Sequence, residues 1–289
     1  MAAFQDLLLS VPDGLGPTEL LQFLSENLPI AIKRIQRAIE EGGVYVNRKR
    51  CKKTDLELCG GEKLRIVILD HETLVPFTEQ QLLWQQTPYF LIHKKSGQYA
   101  QEALHRSGGT LPDELAKHLK LKRKFAHHLR PVHRLDRDTS GLMLFCSDPK
   151  QLQQLQALWH SHVQKTYLAV VSPAPDWDEQ RITLAIGSRR DRQGCYHVEA
   201  NGRACDTEAK VVQRVGNMAL LRLIPHTGRT HQLRIHLSHL GCPILGDTRY
   251  GGKRHSRLML HAQGLYVQVP ALPEEHQWNE DPQEDWQWH

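Results

Sequence analysis

His133-Arg134-Leu135-Asp136-Arg137-Asp138-Thr139-Ser140-Gly141 sets one carboxylate between two arginines and then runs into the apolar stretch Leu142-Met143-Leu144-Phe145-Cys146. The apolar stretch reads as a buried strand and the polar one as the loop that feeds it, a place where a scaffold can hold a reactive group both fixed and accessible. On chemistry alone the loop stays ambiguous. Alternating Arg and Asp on a surface loop are more often solvated ion pairs than a site. Thr139, Ser140 and Gly141 read as turn residues entering the strand, and Ser140 lacks the G-x-S-x-G surroundings of a nucleophilic serine.

Outward from this stretch, strands are predicted at Phe90-Leu91-Ile92, which ends in the turn Lys95-Ser96-Gly97, and at residues 165–171, 207–213 and 220–224. A helix is predicted from Pro149 to about His160, and the segment from Thr227 reads as a turn followed by an amphipathic helix. Strands mixed with few helices point to an α+β fold and away from a doubly wound one. Upstream, residues 17–69 form a smaller pattern. Leu20, Leu21, Leu24 and Leu28 give one helix an apolar face; Pro29 separates it from a second, where Ile32, Ile35 and Ile39 recur at helical spacing and Lys33, Arg34 and Arg37 cover the other face. Gly42-Gly43 ends that helix, Val44-Tyr45-Val46 starts a strand, and Gly60-Gly61 precedes a last one over residues 64–69. From His71 to Gln86 no clear periodicity is visible and Pro76 intervenes, so the stretch reads as a linker with room for a short helix. The chain thus divides into a small domain with its lead-in (1–75), a linker (76–88), a large domain (89–273) and an acidic tail (274–289) carrying Trp278, Trp286 and Trp288, either disordered or docked by those tryptophans.

The 289 residues suffice for one large and one small core. Lys plus Arg total 37 against 32 for Asp plus Glu, a net charge of +5 that suits an anionic partner without requiring one. Position says more than the sum. Lys117, Lys120, Lys122, Arg123, Lys124, Arg130, Arg134 and Arg137 form a basic band leading up to and around Asp136, where a phosphate backbone could be tracked or a helix face simply solvated. The six cysteines show no C-x-x-C spacing and fit a reducing compartment, and the cytoplasm is expected. No basic segment precedes Leu7-Leu8-Leu9, so no signal peptide is expected, and no apolar run is long enough for a membrane span. His231, His236 and His239 lie close in sequence, as do His127 and His128, but no H-E-x-x-H arrangement or second ligand set accompanies them, and no metal is expected.

The loop closely resembles the motif His-Arg-Leu-Asp, two variable residues, Thr-Ser-Gly of the RluA-type pseudouridine synthases. Two more stretches are similar to that family: Lys165-Thr166-Tyr167, and the long run His226-Thr227-Gly228-Arg229-Thr230-His231-Gln232-Leu233-Arg234-Ile235-His236 followed by Gly241-Cys242-Pro243-Ile244-Leu245-Gly246-Asp247 and Tyr250-Gly251. Three motifs in order are a far stronger signal than one. Where the family usually reads Lys-Pro-x-Gly, this chain has Lys95 in place of Pro, which predicts a less rigid turn. Residues 17–69 resemble an S4 RNA-binding domain, without the basic residue that family often has at the start of its first helix.

The resemblance implies a mixed, largely antiparallel sheet with flanking helices. It implies isomerisation of uridine to pseudouridine in structured RNA, large-subunit ribosomal RNA foremost and transfer RNA as the alternative, by a monomer needing no cofactor. Asp136 would be the catalytic aspartate, Tyr167 would pack against the uracil, and Arg134 would enter the RNA helix when the uridine flips out. Arg234 lies between Leu233 and Ile235, where an unpaired guanidinium would be costly, and Asp136 is the expected partner. Arg229, at the Gly-rich turn, suits phosphate or loop contacts, and Lys165 is grouped with it as an RNA contact; His133 is expected to orient the loop through a backbone hydrogen bond. Lys33, Arg34 and Arg37 would grip RNA on the small domain. A noncatalytic RNA-binding protein with a synthase-like body is the competing class, against which stands the presence of Asp136, Tyr167 and Arg234 together.

Overall fold

The computed structural model describes residues 4–69, 74–189, 191, 195–270, 272, 274–282 and 286–288, so the parts of the domain and tail readings that fall on 1–3, 70–73, 190, 192–194, 271, 273, 283–285 and 289 lie outside the described residues. The chain separates into two compact units, Met1–Leu74 with Gln101–Glu114, and Val75–Ala100 with Leu115–His289.

In the first unit the elements are β1 (Phe4–Ser10), β2 (Thr18–Glu19), α1 (Leu20–Asn27), α2 (Ile32–Glu41), β3 (Val44–Val46), β4 (Lys49–Cys51), β5 (Glu57–Leu58) and β6 (Lys63–Leu69). A four-stranded sheet runs β1-β6-β3-β4, and β2 pairs with β5. Leu20, Leu24, Ile35, Ile39, Val44 and Ile66 are fully buried against one another, as the helical and strand spacing of these residues demands. The Leu7-Leu8-Leu9 run lies within β1. Leu7 and Leu9 pack on this core while Leu8 is 77% exposed, the alternation of a strand with one covered face. Gly42 closes α2 in the left-handed region, φ 87°.

In the second unit follow β7 (Leu82–Gln86), β8 (Tyr89–Lys94), α3 (Leu111–His118, which starts in the first unit), α4 (Arg123–Ala126), β9 (Arg130–Pro131), β10 (Ser140–Cys146), α5 (Pro149–His162), β11 (Val163–Val171), β12 (Glu179–Ile182), β13 (Thr207–Val215), β14 (Met218–Pro225), α6 (Gln232–His239), β15 (Leu260–Val267) and β16 (His276–Asn279). Ten strands form one sheet in the order β12-β13-β14-β11-β15-β10-β8-β7, with β16 added to β15 and β9 to β10. Every pair is antiparallel except β10 with β15, so the fold is α+β with a mixed, largely antiparallel sheet. β8 and β10 are buried at every position, which is why they read as continuous apolar runs without alternation. Asp148 caps α5, accepting from the Lys150 and Gln151 amides at 2.9 Å each, and Pro149 takes the first helical position. Leu155 and Trp159 of α5 bury against Leu91, Leu142, Leu144 and Leu265 of the sheet.

Two readings of the sequence need correction. The stretch taken as linker contains β7, whose Leu82, Trp84, Gln85 and Gln86 pair with β8; an edge strand with one face covered shows too little periodicity to announce itself. The segment from Thr227 is a turn followed by a helix, as its pattern predicts. α6 stops at His239, and β15, which fills the middle of the sheet, carries His261, Ala262 and Gly264, residues poor in strand propensity. The turn at Lys95 is tied down without proline: the Lys95 N–H, which a proline would lack, donates to Gln98 Oε1 at 2.8 Å, and Gln98 Nε2 donates to the Pro76 carbonyl at 3.0 Å. The tail docks. Trp278 packs on the α5 side of the sheet, and Trp286 lies with its ring 5.4 Å from the Arg257 guanidinium.

Gly141, where the loop enters β10, has φ 116°, and a Cβ there would stand 2.2 Å from the Ala262 carbonyl oxygen of β15. Gly141→Ala is therefore expected to destabilise the protein by on the order of 3 kcal/mol, from strain and clash together. Urea denaturation measures it; an unchanged midpoint would contradict this packing of β10 on β15.

Candidate active site

The loop between β9 and β10 carries Asp136, and its backbone is held from the strand next door. Lys94, at the end of β8 and fully buried, donates through Nζ to the carbonyls of Lys95 at 3.1 Å, Arg137 at 2.5 Å and Thr139 at 2.7 Å. Burial pushes its pKa down to about 7, opposed by the charges of Asp138 and Asp136. The Gly97 amide also donates to the Arg137 carbonyl at 2.9 Å, and Ser96 Oγ to the Asp138 carbonyl at 2.8 Å. On the exit side, Ser140 Oγ lies 2.5 Å from Arg257 Nη2 and 2.8 Å from His261 Nδ1, while His261 Nε2 donates to the Glu280 carbonyl at 2.8 Å.

A cavity of about 120 Å³ opens at this loop. Arg134, Asp136, Lys165, Tyr167, Arg229 and Arg234 line it, six of the residues singled out in the sequence, together with His231. Arg134, exposed, and Asp136, half-buried, both line it, as does the buried Leu135 between them. Tyr167 enters from β11 and is buried; burial, and next the charge of Asp136, raise its phenol pKa, so the ring stays neutral. Burial lowers the pKa of Lys165. Arg134 is exposed at the cavity, and Arg229 donates through its amide to Gln232 Oε1 at 3.0 Å.

Arg234 is the pivot, and it pairs with a second acid besides the expected Asp136. Nε and Nη2 each lie 2.7 Å from the two carboxylate oxygens of Asp247, a bidentate pair with the Asp247 side chain 1% exposed, whereas Asp136 Oδ2 accepts from Nη1 at 3.3 Å. The fork of a guanidinium serves both acids at once. Burial opposes the charge of Arg234, but the hydrogen bonds and charge of Asp247, reinforced by Asp136, outweigh it and raise its pKa. The Arg234 guanidinium also lies over the Tyr250 ring, 5.0 Å from its centre. Tyr250 Oη is 2.7 Å from His231 Nδ1, and His231 Nε2 is 3.7 Å from Asp136 Oδ2. Burial pushes the His231 pKa down to about 4 despite Asp136, with Arg234 and Arg249 helping, so the imidazole is neutral at pH 7 and Arg234 is the cation beside Asp136.

His133 does not line the cavity. Its ring stacks on Trp159 at 4.6 Å, and Nε2 accepts from the Leu144 amide at 3.2 Å. Burial, and then Lys165, push its pKa down to about 3. Lys33, Arg34 and Arg37 belong to the first unit: Lys33 and Arg37 are exposed, Arg37 pairs with Glu41 at 2.9 Å, and Arg34 and Arg37 line a shallow cleft with His105. Sequence reasoning gave no role to Asp247, Lys94, Tyr250 or His231 as a neutral neighbour of Asp136. For Asp247 a signal was present, since a buried arginine in an apolar helix calls for an acid and Asp247 ends the same motif. Among the described residues, no three His, Cys, Asp or Glu side chains come together to hold a metal ion, and no helix is long and apolar enough to cross a membrane.

Residues 88–239 match the family model described as RNA pseudouridylate synthase. The chain is 31% identical to ribosomal large subunit pseudouridine synthase C of Vibrio parahaemolyticus, over 92% of this chain and 90% of that protein. It is 30% identical to the protein of the same name from Escherichia coli K12, over 83% of this chain and 81% of that one. Among solved structures it is similar to human RNA Pseudouridylate Synthase Domain Containing 4, with a TM-score of 0.58 and 27% identity, covering 71% of this chain and 89% of that one.

Replacing Asp247 by Asn would leave the buried Arg234 charge with Asp136 alone. Asp247→Asn is expected to cost on the order of 3 kcal/mol in denaturant titrations and to lower turnover, while equal stability would mean the pair carries no weight. A second expectation concerns acid. His133, His231 and His261 have pKa values near 3, 4 and 4 through burial, below the ordinary 6.5. As pH falls through 6.5 the unfolded chain binds these protons and the folded protein does not, so stability is lost on the way down to about pH 4, by on the order of 1 kcal/mol per pH unit for each histidine. Unfolding free energies that stay flat between pH 7 and pH 5 would overturn it.

Proposed function

The chain belongs to the RNA pseudouridylate synthase family and is an RNA pseudouridine synthase; from that premise we propose that it isomerises uridines of large-subunit ribosomal RNA, in the cytoplasm and as a monomer, with Asp136 as the reacting carboxylate. The observation that carries this reading is the ionised pair at the cavity: Asp136 within 3.3 Å of a guanidinium that Asp247 keeps charged and in place, with Tyr167 buried in the same cavity. Two relatives named for the large ribosomal subunit, alignable over more than four fifths of the chain, favour that RNA over transfer RNA.

The reaction breaks the bond from ribose C1′ to N1 of uracil, turns the base and joins C1′ to C5. The proton on C5 is lost to water and N1 gains one, so nothing is oxidised and no group is transferred to another molecule. Asp136 acts as nucleophile or proton acceptor, with the Arg234 guanidinium as the cation beside it. Tyr167 packs as a neutral ring against the uracil. Arg134, two residues from Asp136 and exposed at the cavity, fills the space left in the RNA stack when the uridine leaves it, an extrusion that costs a few kcal/mol. His133 fixes the loop, Arg229 and Lys165 meet the RNA backbone, and the first unit acts as an S4-like grip through Lys33, Arg34 and Arg37.

The test uses cells lacking the gene, complemented with the wild-type protein or with Asp136→Asn, and maps pseudouridine by carbodiimide modification. Positions in large-subunit RNA should vanish on deletion, return with the wild type, and stay absent with Asp136→Asn. Tritium release from uridine-5-tritiated RNA should fall by at least about a thousandfold in that variant, with folding retained because Arg234 keeps Asp247. Loss of pseudouridine from transfer RNA alone would establish the alternative substrate, and substantial turnover by Asp136→Asn would remove Asp136 from the chemistry.

A further inference from the structure

A second cleft, of about 280 Å³, adjoins the cavity at Asp136 and shares Lys165 and Pro225 with it. It lies where the end of α5 meets the start of β11 and the end of β14, and His160, His162, His226 and Tyr266 complete its walls. Three features single out the junction. A Cβ on Gly228 would lie 3.7 Å from His160 Cε1 and 3.9 Å from Lys165 Nζ, so these two side chains converge on a point that glycine leaves open. Lys165 is half-buried and has no hydrogen-bond or ion-pair partner among the described residues; burial lowers its pKa, and an ammonium drawn partly out of water favours a ligand that brings a counter-charge. His226 is already engaged, with Nε2 2.9 Å from Glu208 Oε1, which leaves Lys165 and His160 as the groups facing the gap.

We propose that Lys165 and His160 clamp the phosphate joining the target uridine to its neighbour, and that the cleft walled by His162, His226 and Tyr266 takes that neighbouring nucleotide. The inference rests on the reading that the first cavity receives the flipped uridine. A nucleotide turned out of a stack carries its flanking phosphates to the mouth of the pocket, where a lysine point charge and an imidazole meet them, and a tyrosine ring offers the next base a face to stack on. The neighbour on this side is then recognised outside the duplex, so the substrate is an unpaired segment of at least two nucleotides.

Once the target uridine is mapped, RNA oligonucleotides are synthesised with either flanking phosphate replaced by an uncharged methylphosphonate. Steady-state kcat and KM are measured on full-length wild type, His160→Ala, Lys165→Met and Lys165→Arg. One of the two replacements should lower the wild-type kcat/KM by about tenfold, the size of one charged hydrogen bond, mainly through KM. It should cost His160→Ala and Lys165→Met less than about twofold, because the partner is gone, while Lys165→Arg keeps the sensitivity and covers the case in which the methionine variant fails to fold. Equal losses in wild type and variants, or no loss at either phosphate, would overturn the clamp while the unmodified RNA still turns over. If the wild type forms no pseudouridine in any RNA, the parent reading fails and takes the clamp with it.

Discussion

The site depends on a single buried cation with two anionic neighbours. Taking Arg234 out of water is expensive, and Asp247, itself almost wholly buried, meets that cost with two parallel short hydrogen bonds. Asp136 then receives only the third donor, longer and at the edge of the cavity. The asymmetry is chemically useful. A carboxylate bound on both oxygens has few lone pairs left, whereas Asp136, touched by Arg234 through a single oxygen, keeps lone pairs open toward the cavity. Tyr250 and neutral His231 close the rest of the guanidinium's surroundings without adding a competing charge.

Around that pivot, the loop bearing Asp136 is held by its own backbone. Lys94 gathers three carbonyls, Ser96 and Gly97 take two more contacts on the same strand end, and Ser140 is bound by His261 and Arg257 on the other side. None of these bonds uses the side chains that face the cavity. Arg134 and Asp136 are thus positioned without being consumed, the arrangement a preorganised site requires.

Much of this was readable before any coordinates. The apolar run after Gly141 and the helical spacing of Ile35 and Ile39 announce a buried strand and an amphipathic helix, because burial on one or both faces imposes those patterns. Residues distant in sequence yet matched to one family, Asp136, Lys165, Tyr167 and Arg234, do meet at one cavity. What stayed hidden was set by tertiary contact. β15 is central because β10 and β11 flank it, a fact that His261, Ala262 and Gly264 give no local hint of. Asp247 and Lys94 look like ordinary surface charges in a sequence, and only the fold reveals that each is enclosed and opposite a particular partner. Lys95 illustrates the converse, since the missing proline suggested looseness and the freed N–H proved to be a tether.

The position of β15 also bears on how the molecule comes into being. β8 and β10 can pair as soon as both have been synthesised, but β10 meets β15 across more than a hundred intervening residues, and Asp136 lies 98 positions ahead of Arg234. Closing such loops is the slow part of assembling a sheet. A nascent chain could hold the Asp136 loop on β8 and β10 for some time while the edge of β10 that β15 will cover stays open, an exposed apolar strand of the kind that chaperones shield. The pairing of Asp136 with Arg234 is therefore a late product of folding. Partly made or truncated chains would carry the most recognisable motif of the family and still be inert.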